Sequence, residues 1–506
     1  MRKVLVFSLT NAEKFYIIRT KNHKECVRDC PDDRTATCVC KVLTAGRWVK
    51  KDGKLIVRDE FFVMEKNMWK VCKFGGTSLA CAENARRCVA IVQADETRRF
   101  VVASAPGKRN KDAKKVTDLL AECHAKRFDK QAFDECFAVV KATYEEMATL
   151  AEDFPIAQEL ELIYQQIRFS ESNIDFVLSR GEYLNAKILA KALGFVFLDA
   201  TEFVRFRAGE LDLKATLAQA EKIDKTKRYV IPGFYGLNEK GYVKTFSRGG
   251  SDITGSIVAR AFGCDLYENW TDVDGICICD PKVVKDSKKV EQVSFRELRE
   301  MSYMGASVLH AETLLPVYDT PIPIVLKNSF HPDAAGTEIL KKRTRVDEKE
   351  TITCITGKND YTCIQISKML LDKQLGFVKK VTSVFEEYHI NISHTHSGLD
   401  NLCLFVEKAE YQEISFSDFL KELENRIDAD KIKGHENLAL VAVIGHNLSG
   451  KIGVLSSVFN ALKRNKISVK TIYQSISECN LILGIEDGQL KSCVRALYQE
   501  LIGETV

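Results

Sequence analysis

Two adjacent glycines that run straight into a helix constrain this chain more than any other stretch. The run Ser247-Arg248-Gly249-Gly250-Ser251-Asp252 continues as ITGSIVARAFG. Ile253, Ile257, Val258, Ala261 and Phe262 recur at helical spacing, so a helix is predicted to start at the glycines. Glycine permits positive φ and a close approach of backbone to ligand. A helix N-terminus offers unpaired N–H groups and the positive end of the dipole to an anion. Arg248 adds a planar fork suited to a carboxylate or phosphate. Asp252, in the first turn, also suits a capping role. An ordinary capped turn and a site gripping both ends of an α-amino acid fit this stretch equally well.

A second loop of the same kind lies upstream. Val71-Cys72-Lys73-Phe74-Gly75-Gly76-Thr77-Ser78 reads as a strand, a Lys, a glycine pair and hydroxyls. It forms a phosphate cradle with a point charge aimed at it. Its Lys precedes the glycines, so it is not the P-loop pattern. Apolar strand-like runs follow at 100–104, 229–233 and 323–327, separated by helical stretches such as 113–180. That alternation predicts a mainly parallel sheet covered by helices. Ligands in such folds bind beyond the carboxyl ends of the strands, where both glycine loops fall.

The chain has 506 residues, too many for one core, so two to four domains are expected. Its net charge of +4 is too balanced to point to nucleic acid or a membrane surface. No apolar run nears the roughly 18 residues of a membrane span. A cytoplasmic protein is expected. Seventeen cysteines are scattered through predicted elements, as reduced thiols acting as small hydrophobes would be. Cys26, Cys30, Cys38 and Cys40 form one local group that could bind zinc, but it lacks paired CxxC knuckles.

A charged stretch with Arg343, Arg345, Asp347, Glu348, Lys349 and Glu350 reads as a linker. Two similar blocks follow, at 351–410 and 436–506. The first predicts a strand at 352–366, a helix at 376–388 and a strand at 402–406. The second predicts a strand at 438–444, a helix at 453–464 and a strand at 481–485. In both, the helix follows a Gly and is followed by a polar break and Ile-Ser. Repetition on this scale is a fold-level signal.

With KFGGTS at 73–78, SRGEY at 179–183, SRGGSD at 247–252, WTDVDGICICDPKVV at 270–284 and MGASVLH at 304–310, the chain resembles the aspartate kinases of the amino acid kinase family. The resemblance runs from about residue 68 to the C-terminus, and the repeated blocks look like a pair of ACT domains. It implies an α/β amino acid kinase fold over 68–342, followed by two ferredoxin-like α+β domains. It also implies transfer of the ATP γ-phosphoryl group to the β-carboxylate of L-aspartate, with Mg²⁺ bridging the phosphates. No dehydrogenase fingerprint follows the repeated blocks.

Residue by residue, the resemblance places Lys73 at the transferring phosphoryl, with backbone donors from Gly75 and Gly76 and the hydroxyl of Ser78. It assigns Arg248 to the α-carboxylate and Glu182 to the ammonium, with Ser251 and Asp252 nearby and Asp252 also catalytic. Thr117 matches a substrate-contacting Thr, across an insertion at 107–114. Thr271, Asp272, Cys277, Lys282 and Ser307 fall in the nucleotide region. Three of these depart from the family's pattern: Cys277 where Tyr is common, Lys282 for Arg, and Ser307 for a Lys. An inhibitory amino acid, lysine first and threonine second, is expected near Ser393, His394 and Thr395. Lysine-inhibited relatives have Asp where this chain has Thr395, and Asp400 is the nearest acid that could replace it. A homodimer or homotetramer through the ACT domains is implied.

Two other readings stay open: a kinase-fold amino-acid sensor lacking activity, and a kinase for another small acid. Residues 1–67 match nothing in the kinase pattern. They read as an upstream start-site artefact or a small accessory domain.

Overall fold

The computed structural model describes residues 68–503 apart from 111, 170–172, 248, 307–308, 346–350, 447 and 475–478, together with four strands within 1–67. The chain divides into two units, 1–68 and 69–506. In the first unit, Val4–Ser8 pairs antiparallel with Phe15–Arg19, and Trp48–Lys51 with Lys54–Val57. The four clustered cysteines lie outside the described residues.

The second unit opens on an eight-stranded sheet. Its order is Gln292–Ser294, Thr337–Leu340, Ile324–Asn328, Leu266–Thr271, Lys70–Phe74, Arg98–Ala103, Tyr229–Pro232 and Val196–Phe197. Every neighbouring pair is parallel except 324–328 against 337–340. Alternation along each strand sends side chains to two cores. Val71, Phe100 and Val102 face one core, with helices Gly250–Ala261 and Phe295–Tyr303. Cys72, Phe74, Val101 and Ala103 face the other, under helices Ala82–Gln93, Val116–Lys126, Lys130–Ala148, Ile156–Phe169 and Ile174–Leu193. The predicted helical stretch 113–180 is thus four helices, the last of them carrying the SRGEY phrase.

The C-terminal region is one six-stranded antiparallel sheet, ordered His394–Ser397, Asn401–Glu407, Ile352–Ser367, Lys431–Gly445, Asn480–Glu486 and Thr471–Tyr473. Its register differs from two blocks set end to end. The long strand 352–367 divides in the middle: 361–367 pairs with 401–407 and its 363–367 part with 431–435, while 352–358 pairs with 440–445. The second half-sheet therefore takes its fourth strand from residues that precede the whole first half. The register shifts between Lys358 and Tyr361, where Asp360 has φ 64°, and Asn437 on the facing strand has φ 60°. Asp and Asn tolerate this left-handed conformation best among non-glycines, and such bulges redirect strands. Helices Phe377–Glu387 and Phe416–Arg426 cover the first half, and Val454–Arg464 and Leu490–Leu501 the second.

The uncovered face of this sheet packs on the kinase-like half. Cys354, Tyr361, Leu440, Ile444 and Ile482 join the same core as Phe295, Leu298, Met301 and Met304. A buried ion pair locks the junction. Arg343 Nε donates to Glu297 Oε2 at 2.9 Å, and the Thr353 hydroxyl donates to Glu297 Oε1 at 2.6 Å. Glu297 also closes a capping box with Ser294, which starts the 295–303 helix. Arg343, predicted as linker, is instead anchored in the interior.

Candidate active site

The register of two parallel strands builds the centre. Lys73 and Asn269 are cross-strand partners, so their side chains share the face beneath the 250–261 helix. That helix lowers Asp252 onto them. Lys73 Nζ lies 2.6 Å from Asp252 Oδ1, and Asn269 Nδ2 donates to the same oxygen at 2.7 Å. The Tyr267 hydroxyl donates to the Asp252 carbonyl at 3.1 Å, fixing the first helical turn. Lys73 is 7% exposed. A charge this shielded from water interacts strongly with whatever anion reaches it.

The opposite face of the same strands carries a buried polar network. Arg98 Nε donates to Glu268 Oε2 at 2.8 Å, and the Trp270 indole N–H reaches the same carboxylate at 3.1 Å. The Cys72 thiol donates to it as well, at 3.2 Å. Burial first, and the Glu268 carboxylate second, raise the Cys72 pKa, so the thiol stays protonated and donates. This network pins the strand that presents Asn269.

Glycines let three loops converge at the strand ends. A Cβ on Gly75 would lie 3.4 Å from Lys73 Nζ, and one on Gly107 would lie 2.5 Å from the Gly76 carbonyl carbon. The Gly107 N–H donates to the Gly76 carbonyl at 2.9 Å. Gly249 has φ +59° and begins the Asp252 helix; a Cβ there would lie 2.9 Å from His310 Cβ. Ser251 packs under Gly233, whose Cβ would overlap it at 2.6 Å.

Several expected roles change. The Gly75 N–H donates to the Trp270 carbonyl at 3.0 Å, so it ties strands together rather than facing a phosphate. Ser78 is 1% exposed, and its Oγ accepts from Ser329 Oγ at 2.7 Å. It staples the 75–79 turn to the loop after 324–328, because its position in the 3₁₀ turn points inward. Arg248 and Ser307 lie outside the described residues.

Glu182 sits inside the 174–193 helix, fully buried rather than at a helix end. Gly181 allows this: its Cβ would lie 2.9 Å from Ala105 Cβ. Burial pushes the Glu182 carboxyl up to about 8, while the Ala105 backbone N–H and Arg180 pull it down. Among the described residues its Oε2 has no hydrogen-bond partner. A buried carboxyl group with a free acceptor oxygen is a ready seat for an ammonium group. Arg180 of the same phrase is structural, its guanidinium stacked 4.3 Å from the rings of both Phe176 and Tyr183.

Thr271 and Asp272 cap the 266–271 strand, with Thr271 Oγ1 donating to Asp272 Oδ1 at 3.1 Å. Beside them Asp274, of the same 270–284 phrase, accepts from Lys289 at 2.7 Å and Asn328 at 2.7 Å and meets His331 at 2.9 Å. Lys289 chiefly, then His331 and Asn328, hold its carboxyl well below the usual range. Cys277 pairs with Lys289 on a short hairpin, and burial raises its thiol pKa. Lys282 is exposed, on a turn capped by Asp280 at 2.8 Å. Thr117 is half-buried in the first turn of the 116–126 helix. Among the described residues no interaction ties Lys282 or Thr117 to the Lys73–Asp252 pair.

The four expected effector residues separate. Ser393, His394 and Thr395 line a cleft against the 295–303 helix, and the Tyr303 hydroxyl donates to the Ser393 carbonyl at 2.8 Å. Asp400 instead accepts from the Leu370 N–H at 2.8 Å, in a turn that is not part of that cleft. Asn269, Gly107 and Ser329 were missed by sequence reasoning. Asn269 carried one signal: two polar residues, Glu268 and Asn269, interrupt an otherwise buried strand.

Comparison with known proteins gives concordant matches. The Amino acid kinase family matches residues 68–328, and an ACT domain matches 441–501. Aspartokinase 3 of Bacillus subtilis is 31% identical over 451 residues, covering 85% of this chain and 98% of that protein. A crystal structure of Clostridium acetobutylicum aspartate kinase superposes with TM-score 0.76 at 37% identity, over 86% of this chain and all of that one. The structure of E. coli aspartokinase III in complex with aspartate and ADP gives 0.70 at 25% identity, over 86% and 99%.

Proposed function

Since this chain belongs to the amino acid kinase family, we infer that it is an aspartokinase. It transfers the γ-phosphoryl group of ATP to the β-carboxylate of L-aspartate, giving 4-phospho-L-aspartate on the way to lysine, threonine and methionine. The observation that carries the reading is the Lys73–Asp252–Asn269 triangle at the carboxyl ends of two central strands.

Both reactants are anions, so catalysis must come from alignment and charge neutralisation. Lys73 meets the charge that develops on the transferred phosphoryl group. Asp252, itself held by Asn269, fixes its ammonium in place before substrate arrives, so little reorganisation accompanies the reaction. Glu182 receives the aspartate ammonium, which supplies a donor to its free Oε2 and favours its ionised form. Arg248 takes the α-carboxylate, and Ser251 and Thr117 complete the substrate contacts. Backbone donors for the phosphates come from Gly76 and the residues after it. Thr271, Asp272, Cys277, Lys282 and Ser307 border the nucleotide, and Asp274 shapes that border. Among the described residues no group of three or more acidic, His or Cys side chains could hold a metal ion. Mg²⁺ would be held chiefly through phosphate oxygens of ATP and water, and would neutralise phosphate charge when bound.

Control acts through the antiparallel sheet, with lysine as first candidate effector and threonine second. We propose a homodimer or homotetramer assembled on this region. Met369, Leu370, Leu375 and Leu399 support that reading, because they expose apolar side chains together on neighbouring loops of the first half-sheet. The two halves are best treated as interleaved units, 361–435 and 438–503 with 352–358. No helix among the described residues is long and apolar enough to cross a membrane, and a cytoplasmic location is proposed.

One coupled assay of ADP formation tests the reading, run with aspartate, with glutamate and with no acceptor. Aspartate-dependent turnover is expected. Equal turnover with glutamate would make it a kinase for another acid, and none at all would leave a sensor.

A further inference from the structure

The 174–193 helix carries a second buried polar side chain beside Glu182. Asn185 lies three residues on, so the two share one face of the helix. Asn185 is 0% exposed. Its Nδ2 donates to the Ser104 carbonyl at 2.6 Å. A carbonyl can only accept, so the orientation of the amide is fixed. Among the described residues Asn185 Oδ1 is then a buried acceptor with no hydrogen-bond partner. An unpaired acceptor in the interior destabilises a fold, and its presence needs a reason. The reason lies with the other end of the amide.

Ser104 and Ala105 are joined by one planar peptide unit. Its carbonyl accepts from Asn185, and its N–H, that of Ala105, donates to Glu182. One turn of helix therefore clamps both ends of a single peptide. That peptide directly follows the 98–103 strand, and the Ser104 N–H donates to the Phe74 carbonyl at 3.3 Å, next to Lys73. Its surroundings are tight. A Cβ on Gly76 would lie 3.2 Å from the Ala105 carbonyl oxygen. The Tyr144 hydroxyl braces the helix behind it by donating to the Gly181 carbonyl at 2.7 Å.

We propose that Asn185 is a positioning residue for the aspartate ammonium. It holds the Ser104 carbonyl and so turns the Ala105 N–H onto Glu182, while Glu182 Oε2 stays unpaired for the substrate. This rests on the aspartokinase reading above and adds a residue to its acceptor site. The Ala105 N–H also eases ionisation of Glu182 against the dominant effect of burial. Without that donor the carboxyl keeps its proton to higher pH. Around Glu182 stand Arg180 of its own helix, Tyr144 of the 130–148 helix and Tyr235 of the 235–237 strand. Burial first of all pushes both phenols up, so neither changes charge in the range where Glu182 titrates.

Initial rates of the full-length protein, measured against aspartate and against ATP from pH 6 to 9, test the assignment. The variants are Asn185→Leu, Asn185→Ala, Glu182→Gln and Asn185→Leu combined with Glu182→Gln. Two replacements of Asn185 are used, so a packing defect in one leaves the other to be read. Each is expected to raise KM for aspartate about tenfold at pH 7, as loss of one hydrogen bond to a charged group implies. Each should also move the fall of KM with pH upwards by about one unit. KM for ATP, and kcat at saturating aspartate, should stay within about twofold of wild type. In the Glu182→Gln background Asn185→Leu should change KM by less than about twofold, because Asn185 acts through Glu182. An unmoved pH profile, or a tenfold rise kept in the Glu182→Gln background, overturns the positioning role and leaves the aspartokinase reading standing. No aspartate-dependent turnover in the wild type overturns both.

Discussion

The Lys73 centre and the cleft lined by Ser393, His394 and Thr395 are both charge clusters, yet they are built in opposite ways. In the first, the Lys73 and Asp252 charges already pair with each other. Lys73 and Asp252 touch at 2.6 Å, Asn269 holds their shared oxygen, and glycines press three loops so close that no side chain would fit. In the second, an open cleft of the 295–303 helix against the antiparallel sheet, the buried Asn480 Oδ1 has no partner among the described residues. The contrast teaches where each kind of work is done. Stabilising a transition state needs dipoles that do not move. Responding to a ligand needs a site whose occupied and empty forms differ in free energy.

The junction between the two regions gives the largest expected effect. Glu297→Ala leaves Arg343 buried without its partner, and removing one member of a buried pair costs about 3–5 kcal/mol. Urea denaturation should show that loss. A change below about 1 kcal/mol would mean the two layers do not depend on this pair for their docking.

Lys73→Met sharpens the contrast from the rigid side. Turnover should fall about 10²–10³-fold, the usual cost of losing one preorganised group, while aspartate still binds, because Lys73 meets the phosphoryl group and not the acceptor. Near-normal turnover would remove Lys73 from the reaction.

Glu182 provides a pH test. Its folded pKa of about 8 lies above the ordinary carboxyl value, so the folded protein binds this proton more tightly than the unfolded chain. The stability it contributes is present below the unfolded pKa and is lost as pH rises towards 8. An incoming ammonium favours the ionised form, so aspartate binding releases the proton. KM for aspartate should then fall as pH rises from 6 to 8, by up to about tenfold per unit. Glu182→Gln should flatten that dependence, and a slope kept in the variant would exclude Glu182 as its source.

The smallest effect sits at the contact between the regions. Gly249→Ala places a side chain at φ +59° and against His310, which lines the cleft, at a cost of about 1–2 kcal/mol. Turnover should drop several-fold, with less change in overall stability than Glu297→Ala causes. No kinetic change would separate His310 from the catalytic turn.

The same contrast governs what the sequence made legible. Lys73, the glycine pairs and Asp252 stood out because a tight turn into a helix requires those residue types within six or seven positions. The alternation of strands and helices gave the covered parallel sheet for the same local reason. Asn269 carried no motif; it matters because strand register sets it beside Lys73, and register is decided by distant partners. The inward turn of Ser78 and the N–H of Gly75 committed to Trp270 depend on that packing too. The half-sheet borrowing 352–358 was hidden most deeply, since a strand's own residues do not name which block it will complete. Asp400 was chosen for nearness in sequence, while Glu300 and Glu312 approach the 393–395 strand only through the fold.

The most direct test of the central claim is to trap the product. Full-length protein is incubated with ATP, Mg²⁺ and L-aspartate in the presence of hydroxylamine, and aspartyl hydroxamate is measured against ADP. The account predicts one hydroxamate per ADP, at a rate that collapses in Lys73→Met. ADP released without hydroxamate, or hydroxamate formed at an undiminished rate in the variant, would contradict it.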